Sequence, residues 1–131
     1  MLARIHRFRV LGVGGVLSLA KDVARVTADS IDITLLRELV KPSDEKLGSL
    51  KLLQSAMAAR IGAERAREIM GPLVGIYDLR LGDAHLPAGS LSEAFELVGI
   101  DVAASPVEQA LQLLDRACST LESIHEVLSA A

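Results

Sequence analysis

The chain has 131 residues, of which 50% are apolar and 2% aromatic, so it has the length of one domain and leans toward helix-forming residue types. Its net charge of −3 and its few aromatic side chains argue against nucleic-acid binding over the whole surface. Its single cysteine, Cys118, excludes an intrachain disulfide and suits the cytoplasm. With one Cys and three His we expect no metal site and no cofactor.

The charges are divided unevenly along the chain. Residues 1–25 have a net charge of +4, residues 26–82 are balanced, and the segment from Asp83 onward has a net charge of −7. This division indicates head-to-tail docking of copies, or an anionic partner at the N-terminus. Two solvated faces of opposite sign would explain it equally well.

The N-terminal segment, residues 1–15, is a candidate arm. Arg4, Arg7 and Arg9 could contact phosphates, and they precede an apolar run from Val10 to Ala20 that is similar to part of a secretory signal. The eleven residues of that run are too few to span a bilayer as a helix, so we expect no transmembrane segment. A membrane-surface helix is a weaker alternative because of the glycines. The chain could also be the end of a longer polypeptide or an internally started product.

Two short helices are predicted first. The glycine cluster at residues 12–15 predicts a break, and it lacks the βαβ context that a dinucleotide-binding loop needs. Apolar residues at helical spacing then predict a helix over residues 16–28. A shorter helix should end before Pro42, since proline disfavours the α region in the residue before it. Its apolar positions are Leu35, Leu36, Leu39 and Val40.

Two longer helices are predicted next. Ser43 is a candidate N-cap, with acidic residues following it in the first turn, and Gly62 can end that helix. The next helix should run from Ala63 to Leu81, and Gly71-Pro72 should kink or divide it. The expected apolar stripes are Leu47, Leu50, Leu53, Met57 and Ile61 on the first helix, and Ala66, Ile69, Leu73 and Ile76 on the second.

Two capping boxes predict the last two helices. After a loop over residues 82–89, Ser90-Leu-Ser-Glu93 should open a short helix that Gly99 closes in a Schellman cap. Ser105-Pro-Val-Glu108 should open the final helix.

The final helix has a seam with strict three- and four-residue spacing. The seam can face the protein's own core or another subunit, and we favour the core. Cys118 would then be a small buried apolar residue and His125 a half-buried one, although a symmetric interface could make His125 a pH sensor. The seam residues are Val107, Leu111, Leu114, Cys118, Leu121, His125 and Leu128. We therefore predict one all-α domain over residues 1–131, a compact bundle of five or six helices with one of them kinked.

One polar cluster lies between the predicted helices, and it contains Tyr77, Asp78, Arg80, Asp83 and His85. The simplest interpretation is structural. Arg80 would pair with Asp78 or Asp83, His85 would bond a helix-end carbonyl, and Tyr77 would pack with its hydroxyl toward solvent.

Arg80 and His85 are separated by four residues, and this spacing resembles the Arg-x4-6-His motif of the HEPN family. Members of that family are small helical bundles that often act as metal-independent ribonucleases in bacterial defence and toxin systems. The resemblance implies RNA as a partner and a homodimer. It also implies that His85 is the general acid or base for attack by the ribose 2′-hydroxyl and that Arg80 stabilises the phosphoryl charge. Leu81 departs from the polar residue that commonly follows the family's arginine.

Two functions follow from the sequence. The first is a non-enzymatic helical assembly module, either a homo-oligomer or a subunit of a larger complex, of the kind found in bacterial defence or toxin–antitoxin systems. The alternative is a HEPN-like ribonuclease with Arg80 and His85 as catalytic residues. The candidate binding residues are Tyr77, Asp78, Asp83, Arg4, Arg7 and Arg9.

Overall fold

The computed structural model describes residues 13–40, 47–80 and 88–130. Within these ranges the chain forms six α-helices and a short 3-10 turn at Ala28–Ser30, with no strand, so the predicted all-α bundle is confirmed. The helices are α1 (Val13–Val26), α2 (Ile33–Val40), α3 (Ser49–Ile61), α4 (Ala63–Arg80), α5 (Ala88–Val98) and α6 (Pro106–Ser129).

Helix α4 lies at the centre of the bundle, where it packs against α1, α3, α5 and α6. Because it is surrounded, it buries side chains on more than one face, including Met70, Leu73 and Leu79. One hydrophobic cluster joins it to its neighbours through Val16, Ala20, Leu53, Met57, Ile76, Phe95, Leu113 and Ile124.

The contact between α4 and α5 is unusually close. A Cβ atom added at buried Gly75 would lie 2.7 Å from Val98 Cγ2 and 2.9 Å from the carbonyl oxygen of Ala94. Real Cβ atoms do not approach other atoms so closely, so glycine is required for the two helices to pack at this distance.

Three predicted helix termini are confirmed, two C-terminal and one N-terminal. Gly62 ends α3 with φ +91°. Gly99, with φ +87°, ends α5 in a Schellman motif: its N–H donates to the carbonyl of Glu96 at 3.0 Å, and the N–H of Ile100 donates to that of Phe95 at 3.0 Å. At the start of α6 the capping box closes in both directions, with Glu108 N–H donating to Ser105 Oγ and Ser105 N–H to Glu108 Oε2, each at 3.3 Å.

Three predicted helix starts are wrong, and in two of them the helix begins earlier than predicted. Helix α1 begins at Val13, so Gly14 and Gly15 are helical and do not break the chain, because burial of the following residues outweighs a glycine cost of about 1 kcal/mol each. Helix α5 begins at Ala88, which places Ser90 inside the helix and not at its N-cap.

Helix α3 begins later than predicted, and its N-cap is Gly48 and not Ser43. The residue before that cap, Leu47, is outside the helix, where its carbonyl accepts a hydrogen bond from Arg37 Nη2 at 2.9 Å. Ser43 itself lies outside the described residues. Helix α4 continues through Pro72 as one element of 18 residues, so it is not divided there, and the kink at Gly71-Pro72 stays a prediction.

Helix α6 is turned differently from our prediction. From Val107 to Leu121 the seam is open to solvent, with 55% of Val107, 61% of Leu111, 41% of Leu114 and 43% of Leu121 exposed. Leu128, at its end, is partly buried against the core. Cys118 and His125 are exposed as well, so the predictions of a core-facing seam, a buried Cys118 and a half-buried His125 are wrong.

The buried face of α6 is a neighbouring arc, made of Gln109, Ala110, Leu113, Ala117, Thr120 and Ile124. This arc includes two alanines, whose small side chains allow a helix to lie close to the rest of the bundle. The large seam residues are left on the side that faces away from the core. The apolar surface of α6 is therefore wider than the face that its own domain covers.

Candidate functional sites

The side chain of Arg80, at the end of α4, is held by a carboxylate that the sequence did not indicate. Its Nη1 atom donates to Asp29 Oδ1 at 2.7 Å and to Oδ2 at 2.9 Å. The two side chains are 31% and 42% exposed, so we expect their ion pair to contribute less than about 1 kcal/mol. The partner is not Asp78, and no spacing in the sequence predicts a contact across 51 residues.

Two other members of the polar cluster lie beside Arg80 on α4. The guanidinium carbon of Arg80 is 5.5 Å from the centre of the Tyr77 ring, which is within cation–π range. The Tyr77 side chain is partly exposed. Partial burial raises the pKa of the Asp78 carboxyl above its ordinary value.

The remaining predicted site residues, His85, Asp83, Arg4, Arg7 and Arg9, lie outside the described residues, as does Leu81. The structure thus brings Tyr77 and Arg80 together and adds Asp29 to them. The pairing of Arg80 with His85 stays a prediction. Within the described ranges no group of three or more Cys, His, Asp or Glu could hold a metal ion.

The second candidate site is the exposed seam of α6, which we name the α6 stripe and define as Val107, Leu111, Leu114, Cys118 and Leu121. These side chains recur at alternating four- and three-residue intervals, which is the spacing of a coiled-coil contact face. From the first to the last the helix rises about 21 Å. Sequence reasoning found these residues but assigned them to the core.

Acidic side chains follow one edge of the α6 stripe. Glu108, Asp115 and Glu122 each come directly after a stripe residue and recur every seven positions, so they lie in a row along the helix. All three are exposed. We name them the acidic row.

No described cation neutralises the acidic row. In residues 13–40, 47–80 and 88–130 the ion pair within 4 Å is Arg80–Asp29 alone. The one cation of α6, Arg116, lies on another side of the helix, where its Nε atom is 3.2 Å from the position of a Cβ added at Gly99. Glu108 is partly engaged in the capping box, which leaves Asp115 and Glu122 as the free carboxylates.

The other edge of the α6 stripe adjoins the protein itself. On this edge, the residues that come directly before Leu111, Cys118 and His125 are buried in the bundle. They are Ala110, Ala117 and Ile124. Helices α1, α3 and α4 all pack against α6. A partner on the stripe would therefore meet the acidic row along one edge and the body of the bundle along the other.

Comparison with protein-family models, with curated proteins and with solved structures found no match for this chain. None of the described helices is both long and apolar enough to cross a membrane. The two candidate sites are therefore interpreted from the chemistry and geometry of their own residues.

Proposed function

We propose that this chain is a helical assembly module, a homo-oligomer or a subunit of a larger complex, that binds another protein through the α6 stripe. The observation that carries the proposal is the exposure of Val107, Leu111, Leu114 and Leu121 along one face of one helix. Burying apolar surface contributes about 25 cal/mol per Å², and contiguous exposed patches of this kind mark interaction surfaces.

A second exposed apolar surface supports the same function. Helix α2 buries none of its residues, and Leu35 and Leu39, one turn apart, are 56% and 78% exposed. Two separate apolar faces on one small bundle favour a subunit with more than one neighbour. The free, exposed thiol of Cys118 suits a reducing compartment, and we place the protein in the cytoplasm on that basis.

The proposal is tested by the native mass of the protein in extracts of cells that produce it naturally. We expect the tagged chain to migrate well above its monomer mass of 13.9 kDa on native gels and in size-exclusion chromatography. A double variant, Leu111→Ser with Leu121→Ser, should lose the neighbour bound by the stripe and migrate at a lower mass than the parent chain, because the stripe loses two of its three leucines.

The matched control is Val102→Ser, which changes a side chain that is 66% exposed but lies outside α6. This variant should keep the native mass of the parent chain. A parent chain that is monomeric both in extracts and, by sedimentation, at high micromolar concentration would contradict the assembly function.

The ribonuclease alternative, with Arg80 and His85 as catalytic residues, ranks below assembly. The Arg80 guanidinium binds Asp29 and would have to leave that carboxylate before it could stabilise a phosphoryl group. Incubating the protein with RNA beside a His85→Ala variant tests this alternative. Equal cleavage by the two proteins, or cleavage by neither, would remove it.

A further inference from the structure

Resting on the proposed assembly function, we propose that the α6 stripe binds a cationic amphipathic helix of a different protein. This helix would place its apolar residues on the stripe and its Lys or Arg side chains on the acidic row. The stripe supplies the hydrophobic contact, and the acidic row selects the charge of the partner.

The spacing of the stripe favours a helix as the occupant. Alternating four- and three-residue intervals keep the apolar side chains on one line for about two heptads, which matches the face that a second helix presents. In this register Leu111 and Cys118 take the a positions, and Val107, Leu114 and Leu121 take the d positions. A peptide in extended form has a repeat of two residues and would not match this line.

The acidic row defines the charge of that helix. Residues Glu108, Asp115 and Glu122 take the e positions, which flank the contact face in a coiled coil and set the choice of partner. The described part of the chain places no cation within 4 Å of them. Lys or Arg on the incoming helix would supply the missing positive charge.

The same row disfavours a second copy of this chain. If two copies packed their α6 stripes in antiparallel fashion, the two acidic rows would face each other across the interface. Like charges placed together in an interface oppose binding. In a parallel pair each row would instead face the body of the other protomer, because the opposite edge of the stripe is covered by the bundle.

The negative charge of the acidic row disfavours two other occupants, a nucleic acid and an anionic bilayer. Nucleic acids carry a negative backbone, and anionic bilayers attract basic and not acidic surfaces. Both would be repelled by carboxylates that lie along the apolar contact line. The observations therefore favour a protein helix with positive flanks.

Two designed peptides of about three heptads serve as probes. Both carry Leu at every a and d position. The Lys peptide has Lys at every e and g position and the Glu peptide has Glu there, so two copies of the same peptide repel each other. Binding to the whole protein is measured by fluorescence anisotropy. We expect the Lys peptide to bind at least about tenfold more tightly than the Glu peptide, and its affinity to fall as salt screens the charges.

Variants of α6 separate the two contributions. Leu111→Ser with Leu121→Ser should abolish binding of the Lys peptide, and Val102→Ser should leave it unchanged. Asp115→Lys with Glu122→Lys should reverse the preference, so that the Glu peptide binds more tightly. These positions are exposed, and circular dichroism should show unchanged helix content in each variant.

The position of the bound helix is tested with Cys118, the one cysteine of the chain. It is exposed and lies within the stripe, so with diamide added as the two-electron oxidant a peptide cysteine at an a or d position should form a disulfide with it. A peptide cysteine at an f position, on the far side of the helix, should not. Equal crosslinking at all three positions would overturn the proposed docking.

Three further results would overturn the cationic partner while leaving the assembly function intact. The first is equal binding of the two peptides. The second is self-association of the protein, if the double variant Leu111→Ser with Leu121→Ser abolishes that self-association. The third is binding of a peptide of residues 1–12 to the stripe, which would make a copy of this chain the occupant. A protein that binds neither peptide but keeps a high native mass in extracts also contradicts the cationic partner. A chain that is monomeric both in extracts and, by sedimentation, at high micromolar concentration contradicts the assembly function itself.

Discussion

Gly75 allows α4 and α5 to pack at short range, and Gly75→Ala tests how much that contact contributes. The added Cβ would meet the Ala94 carbonyl oxygen at 2.9 Å, and a backbone atom cannot turn away as a side chain can. We expect a loss of about 1–3 kcal/mol in the free energy of unfolding, despite the better helix propensity of alanine. Urea denaturation followed by circular dichroism measures it.

Gly48→Ala is the control for this substitution, because a Cβ at that position would meet nothing within 4 Å. Gly48 is the N-cap of α3, where alanine is a poorer cap than glycine, and the change should remain below about 1 kcal/mol. Equal losses in the two variants would mean that α4 and α5 are not in close contact at Gly75.

The raised pKa of Asp78 predicts a pH-dependent effect of Asp78→Asn. Burial penalises the ionised carboxyl, so the folded state holds the proton to a higher pH than the unfolded chain does. The penalty is absent below the unfolded pKa, near 3.8, and is complete above the folded pKa. Asparagine avoids it, so the variant should be slightly more stable at neutral pH.

Because much of the Asp78 carboxyl remains in contact with water, the gain should be less than about 0.5 kcal/mol. Thermal unfolding of both proteins between about pH 3.5 and about pH 7 measures it, and the difference in Tm should shrink as the pH falls. A gain that grows toward acid pH would contradict this assignment.

Single residues were predictable where the cause is local. Gly99 and Ile100 follow a helix in an order that the Schellman motif explains, and the hydrogen bonds are present. The pairing of Arg80 with Asp29 has no local cause, because the two residues meet only after α1 and α4 have packed. Contacts of that kind are not encoded in spacing along the chain.

At the scale of elements, the two capping boxes show when a motif is informative. Both have a serine three residues before a glutamate, but Ser105 is an N-cap in extended conformation, whereas Ser90 lies inside α5. In the first, Pro106 fixes the start of the helix, since proline is tolerated at the first helical position. In the second nothing prevents the helix from beginning earlier, at Ala88.

Ser105→Ala and Ser90→Ala test this difference directly. Removing the Ser105 hydroxyl takes away the acceptor for Glu108 N–H and should cost about 0.5–2 kcal/mol in the free energy of unfolding. Ser90→Ala should change that free energy by less than about 0.5 kcal/mol, because its hydroxyl caps no helix and alanine favours the helix interior. Comparable losses in chemical denaturation would indicate that Ser90 is an N-cap after all.

Helix α6 shows the limit of periodicity. The strict spacing of the seam predicts a helix, and the helix is present from Pro106 to Ser129. Spacing does not say which apolar arc meets the bundle, because Leu113 and Ile124 form a second arc beside the first. The face with the smaller residues packs inward, and the face with the larger leucines remains outside.

At the scale of the whole molecule, the described residues present apolar surface that their own core does not cover. Half of the residues are apolar, and large side chains on α2 and α6 are exposed. Composition does not give the location of this exposed apolar surface, which depends on how the six described helices pack together. The segments 1–12, 41–46 and 81–87 and residue 131 lie outside the described residues, and with them His85 and most of the predicted arm, whose last three residues belong to α1.

The orientation of α6 decides which apolar surface the molecule presents, and two leucines on that helix test it. Leu113 is fully buried, whereas Leu111, half a turn away, is 61% exposed. Leu113→Ala should cost about 2–5 kcal/mol in the free energy of unfolding, because it removes buried methyl groups and leaves a cavity.

Leu111→Ala makes the same chemical change on the outer face, and it should alter the free energy of unfolding by less than about 0.5 kcal/mol. Urea denaturation of dilute protein measures both values, since dilution keeps any assembly from masking the intrinsic stability of the chain. If Leu111→Ala were as costly as Leu113→Ala, the α6 stripe would belong to the core, and the surface on which the assembly function depends would not exist.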